Sequence, residues 1–229
     1  MEPSQPALAP IKHSPQTLRD VVQDRMREAI IAGHFSPGER LVERTLCDQL
    51  GVSRTVIRET IRYLEAEGLV ETQAHRGPII ARMDWAQASQ IYDIRKQLES
   101  AAAAAFAVNH TPAHAKTLRQ ALSKLKAASK ADDRTRLFKA TTGFYAAIFD
   151  GAGHTVAWEI VQRLNGRISR LRVMTLATSD RHRPGLSHMT GISEAVLSGD
   201  AAAARVAVEA HIDDAAAIAK TVLTEQDQS

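Results

Sequence analysis

The sequence predicts a mainly α chain in two parts. A small helical domain closed by a two-stranded wing comes first, and an all-α antiparallel bundle follows. Three observations predict it. Apolar residues recur at helical spacing along most of the chain, punctuated by Gly and Pro. Aromatics are only 4% of residues and Ala dominates the last two thirds, a composition that favours helices over a β-sandwich. Strand-like runs occur only at Leu69-Val70-Glu71 and Ile79-Ile80-Ala81, both before the bundle begins.

Each element has a local cause. Residues 1–16 carry four prolines and no apolar stretch, and read as a disordered arm. Residues 17–82 form the first domain. Leu18, Val21, Val22, Met26, Ala29 and Ile30 follow the amphipathic helix pattern, which stops at Gly33. Ser36-Pro37-Gly38 is turn chemistry, and a short helix from Glu43 to Leu50 is closed by Gly51. Ser53 is a good N-cap for a helix that ends near Gly68, with Val56, Ile57, Ile61 and Leu64 inward. Thr72 to Pro78 makes the hairpin tip between the two strands.

Residues 83–225 form the second domain, in which six helices are expected. They cover about Trp85–Val108, Pro112–Lys130, Asp133–Phe149, Thr155–Thr178, Leu186–Ser198 and 201–223, with a loop from Ser179 to Gly185. Asp84 with Gln87, Thr111 before Pro112, and Asp200 after Gly199 are the start signals. Short connections make neighbouring helices antiparallel.

The chain has 229 residues, 44% hydrophobic and 24% charged, with a formal net charge of +3. A mild basic excess invites a nucleic-acid reading, but its location does not support one. Residues 1–82 hold 11 basic and 11 acidic side chains, while residues 110–185 hold 14 and 5. DNA binding by the first domain must therefore come from arrangement, not bulk charge. The single Cys, Cys47, excludes an intrachain disulfide, suits a reducing cytoplasm, and reads as a small core residue. The longest apolar run, Ala101–Val108, is far too short to span a membrane. No P-loop, G-x-G-x-x-G, H-E-x-x-H or G-x-S-x-G occurs, so an enzyme is not expected.

Two short helices joined at Leu50-Gly51-Val52-Ser53, with a helix before and a wing after, make a winged helix-turn-helix. On the second helix Arg54 and Arg58 lie one turn apart, on the face away from Ile57, Ile61 and Leu64. That layout suits a recognition helix. Arginine grips guanine O6 and N7 with two hydrogen bonds, while Ser53 and Thr55 at the helix N-terminus suit phosphates.

The stretch from Leu50 to Val70, with Pro37-Gly38-Glu39-Arg40-Leu41 upstream and Arg76-Gly77 downstream, resembles the GntR family of bacterial transcription regulators. Arg95, Leu98-Glu99, Phe144, Gly199-Asp200, Ala204 and His211 resemble the FadR-like subfamily with its FCD effector domain. The resemblance implies DNA contacts at Arg44, Ser53, Arg54, Thr55, Arg58, His75, Arg76 and Gly77. Val56 stands where the family usually has Pro, and changed preference is the most it should cause.

FCD domains commonly hold a divalent metal through an Asp and three His. The corresponding positions here carry Thr141, Tyr145, Met189 and His211, and only the last can serve as such a ligand. His188 is one residue off, which on a helix turns a side chain by about 100°. It is therefore expected to point elsewhere, and no metal cofactor is expected. Arg95, Thr141, Tyr145, Met189 and His211 are expected to line a metal-free effector pocket. Arg95 either meets an effector carboxylate or pairs with Asp93, Glu99 or solvent. Arg163, Arg167 and Arg170 share a helical face, read first as solvated, with a dimer contact or an anionic effector as alternatives. His110 and His114 flank a helix start and so share no helical face. The resemblance implies a cytoplasmic homodimeric regulator, in most cases a repressor. Its partners are palindromic operator DNA and a small metabolite such as a carboxylate or sugar acid. A metal-dependent regulator and an architectural DNA binder are the alternatives.

Overall fold

The computed structural model describes residues 17–131, 134–177 and 182–227. The arm read at residues 1–16 lies outside them. The first domain comprises α1 (Leu18–Ala32), α2 (Glu43–Leu50), α3 (Arg54–Ala66), β1 (Val70–Gln73) and β2 (Gly77–Ile80). Thr17 and Asp20 close a capping box on α1, and Gly33 ends it in the left-handed conformation. The strands pair antiparallel, from Val70 opposite Ile80 to Gln73 opposite Gly77. The turn after Pro37 adds to this sheet, because Arg40 bridges Ile79 and Leu41 N–H bonds to Pro78 O at 2.9 Å. That third edge has no local signal in the sequence.

Ile57 and Leu64 on α3, with Leu69 between α3 and the wing, are fully buried in a core shared with Met26, Leu46 and Ile80. Each such side chain contributes about 1.5–3 kcal/mol. Arg27 on α1 also reaches Glu67 at the end of α3, with its Nε 2.8 Å from Oε2. Cys47 is half-buried against this core, close to expectation.

The second domain comprises α4 (Trp85–Asn109), α5 (Pro112–Ser129), α6 (Arg134–Gly151), α7 (Thr155–Arg163), α8 (Asn165–Ala177), α9 (His182–Leu197) and α10 (Ala201–Asp227). Three contacts fix α4 and α10 as antiparallel partners. Lys220 lies over the Trp85 ring, Lys96 pairs with Asp213, and Arg205 bonds Ser100. The apolar core runs through Phe106, Phe144, Ile148, Leu171, Ile192 and Val208.

Two expectations are corrected. The helix expected over Thr155–Thr178 is broken at Leu164 into α7 and α8. Gly166, just after the break, sits against Leu69 of the first domain, where a Cβ would lie 2.9 Å from the Leu69 Cγ. His182–Gly185, expected in a loop, instead belong to α9, which begins at His182. Ser179–Arg181 lie outside the described residues. His110 and His114 do not share a face: His110 stacks on Phe106, while His114 caps α5 with Thr111.

Candidate DNA-recognition surface and interior polar cluster

Ser53 has extended backbone and its hydroxyl accepts from Val56 N–H, starting α3 as its sequence demands. Ile57, Thr60, Ile61 and Leu64 face the core. Arg54, Thr55, Arg58 and, on α2, Arg44 are exposed. His75 and Arg76 are exposed at the wing tip, where Gly77 has a φ of 74°. All eight residues expected at DNA therefore lie on α2, α3 or the wing, and none of their side chains is buried.

They are not equivalent. Among the described residues, Arg44, Arg54 and Arg76 make no ion pair. Arg58 is held: its Nε–H is shared between both carboxylate oxygens of Glu43 on α2, each at 3.0 Å. Glu43 raises the pKa of Arg58 through this bond and through its charge. Sequence reasoning missed Glu43. The pairing is 15 residues apart and depends on how α2 crosses α3.

Inside the second domain, Arg95 is 1% exposed. Its Nε donates to Glu99 Oε1 at 2.8 Å and its Nη2 to Oε2 at 3.3 Å. Of the options left open for Arg95, the structure takes Glu99. Burial alone would lower the pKa of Arg95, but the Glu99 charge more than offsets it. Tyr145 is 1% exposed, and its hydroxyl closes no hydrogen bond of normal geometry. Burial first, then Glu99, pushes its ionisation up. The Arg172 guanidinium lies 5.5 Å from the centroid of the Tyr145 ring. Burial, with Arg95 adding repulsion, lowers its pKa to about 10. Arg172 and Tyr145 lie on different helices, so helical spacing alone does not connect them.

The other expected pocket residues are placed differently. Thr141 Oγ1 donates back to Leu137 O at 2.8 Å. Met189 packs in the apolar core. His211 is buried and faces His188, with ring centroids 5.4 Å apart. This corrects the expectation that His188 points elsewhere: α10 presents both His211 and Asp214 to it, with Asp214 Oδ2 3.6 Å from His188 Nε2. A groove of about 1150 Å³ between α5, α6 and α7 contains none of the five expected pocket residues.

Of the three arginines expected on a solvated face, Arg163 and Arg167 are exposed and only Arg170 is corrected. Arg170 is buried, not solvated, and its Nη1 donates to Ala81 O at 2.5 Å. The Arg167 guanidinium covers Gly68, which has a φ of 69° and leaves no room for a Cβ. Lys139 of α6 pairs with Glu28 of α1. One face of the bundle is thus the seat of the winged domain.

Comparison with known proteins decides the family. Residues 18–80 match the bacterial regulatory proteins of the gntR family, and residues 90–214 match the FCD domain. The chain is a GntR-family regulator with an FCD domain. It is 27% identical over 197 residues to an uncharacterized HTH-type transcriptional regulator in an unstable DNA locus of Streptomyces ambofaciens, covering 86% of this chain and 83% of the relative. It is 26% identical to the "Probable D-xylose utilization operon transcriptional repressor" of Paenarthrobacter nicotinovorans, with 86% of each chain covered. The structure of Escherichia coli McbR/YncC shares the fold, with a TM-score of 0.76 at 22% identity over 90% of this chain and 99% of that one.

This GntR-family regulator is a DNA-binding transcription regulator. No described helix is long and apolar enough to cross a membrane. Among the described residues, no three His, Cys, Asp or Glu side chains are grouped to hold a metal ion.

Proposed function

We propose that this regulator is a repressor whose operator affinity is shifted by a small anionic metabolite inside the FCD domain, without a bound metal. The winged domain contacts DNA through Arg44, Ser53, Arg54, Thr55, Arg58, His75, Arg76 and Gly77. Two copies, related by a two-fold axis, read a short inverted repeat. The D-xylose operon relative, named a repressor, supports the repressor sense.

The observation that carries the effector reading is α8. At one end Arg167 and Arg170 grip the wing root at Gly68 and Ala81. Two residues beyond Arg170, Arg172 lies over Tyr145 beside the Arg95–Glu99 pair. A ligand that draws on Tyr145 or Arg172 therefore moves the helix on which the winged domain rests. Such a ligand changes DNA affinity only if it binds one domain arrangement more tightly than the other. Thr141, Tyr145 and Met189 offer two hydroxyls and a thioether beside the His188–His211 pair, a donor set poorer in imidazole and carboxylate than a divalent metal favours.

A thermal-shift screen of carboxylates and sugar acids on wild type and Tyr145→Phe tests the reading. At least one compound should raise the melting point of wild type, less so the variant, and change operator affinity. A complete screen with no shift would leave the second domain without an effector role.

A further inference from the structure

The contact between Glu43 and Arg58 joins a residue expected at DNA to one that no DNA reading includes. Its geometry is specific. Glu43 takes only the Nε edge of the guanidinium. Both Nη groups stay outside the contact, and the Arg58 side chain remains 61% exposed. The edge left open carries two nearly parallel N–H bonds, the pattern that matches guanine O6 and N7. An untethered arginine has many rotamers and bonds readily to the nearest phosphate. Arg54, one turn earlier, has no such tether among the described residues.

From this pairing we propose that Glu43 is a specificity-determining residue. It positions Arg58 to read a base edge and keeps it off the phosphate backbone. The inference rests on the reading that Arg58 meets DNA. Glu43 itself touches no DNA and acts through Arg58. Its negative charge also works against non-specific binding, since each cation freed to neutralise a phosphate steepens the salt dependence. Glu43 thus lowers affinity for random sequence while lowering the ordering cost of the specific complex.

The test uses full-length wild type, Glu43→Gln, Glu43→Ala, Arg58→Ala and the Glu43→Gln/Arg58→Ala double variant. Binding is measured to a duplex selected by wild type from a random-sequence pool, and to a scrambled duplex of the same composition, over a range of salt. Both Glu43 variants should bind the scrambled duplex more tightly, with a salt slope steeper by about one. The ratio of selected to scrambled affinity should fall about two- to fivefold, the scale of an exposed ion pair. In the Arg58→Ala background, Glu43→Gln should leave that ratio unchanged. If Arg58→Ala lowers the ratio but Glu43→Gln does not, Arg58 reads sequence without help and the inference is overturned. If Arg58→Ala weakens both duplexes equally, Arg58 is a phosphate contact, and the reading beneath the inference fails with it. If Glu43→Gln changes the ratio even without Arg58, Glu43 does not act through Arg58 and the positioning role is overturned.

Discussion

Arg170 of α8 donates from Nη1 to the carbonyl oxygen of Ala81, the residue at which the chain leaves the wing for the bundle. The amide of Ala81 is spoken for as well, donating to Leu69 O at 3.0 Å. Leu69 in turn packs on Gly166, at the start of the same helix. The two domains are therefore joined by a closed set of contacts as well as by the chain. Arg170→Met removes a buried charged donor and leaves the Ala81 carbonyl without it, which costs about 1–3 kcal/mol. Proteolysis between residues 81 and 84 should accelerate. A ligand found in the thermal-shift screen should still stabilise the variant while losing most of its effect on DNA affinity. Retention of that effect would place the coupling elsewhere.

Gly166→Ala puts a methyl group against a fully buried Leu69. Overpacking of this kind costs about 1–3 kcal/mol. Denaturant unfolding measures it, and the companion Leu69→Ala/Gly166→Ala variant should recover part of the cost of the glycine change. Additive losses in the double variant would mean the two residues do not share the space.

Glu99→Gln leaves Arg95 buried without a countercharge, and the loss should be large, about 3–5 kcal/mol. Replacing both residues, as Arg95→Met/Glu99→Leu, removes the charge along with its partner and should cost much less than the two single changes together. Chemical denaturation of wild type, Arg95→Met, Glu99→Leu and the double variant forms the cycle.

Tyr145 carries a pH dependence. Its folded pKa is raised by burial and by Glu99. The unfolded chain ionises it near its ordinary value of about 10. The contribution is fully present below that pH and is lost as pH rises toward the folded pKa, because only the unfolded state releases the proton. Tyr145→Phe should therefore narrow the fall in stability between pH 9 and 11. At pH 7 the variant should be at least as stable as wild type, since it removes a buried hydroxyl that closes no hydrogen bond of normal geometry. Parallel stability curves for the two proteins across that range would contradict the raised ionisation.

The elements themselves were legible because their signals are local. Ser53 caps α3, Asp84 caps α4, and the wing is bracketed by short apolar runs around Gly77. Arg54 and Arg58 could be placed on an outward face from spacing alone, since Ile57, Ile61 and Leu64 fixed the inward one. Other features depended on which helix packs against which. Helical periodicity gives the direction of a side chain about its own axis, not the partner it meets. So spacing reads Arg170 as solvated, whereas it is buried against Ala81 of the first domain. His188 looked misdirected until α10 brought His211 to it. The apolar pattern from Thr155 onward runs on without a break, whereas the structure divides it at Leu164, beside a contact between Gly166 and Leu69 almost a hundred residues away. Composition and spacing by themselves determined a winged helix-turn-helix ahead of a helical bundle. Tertiary structure alone decided that Glu43 holds Arg58 and that α8 joins the wing to Tyr145. Each is a contact between charged or polar groups whose energy depends on burial and distance, and neither quantity exists until the helices have docked.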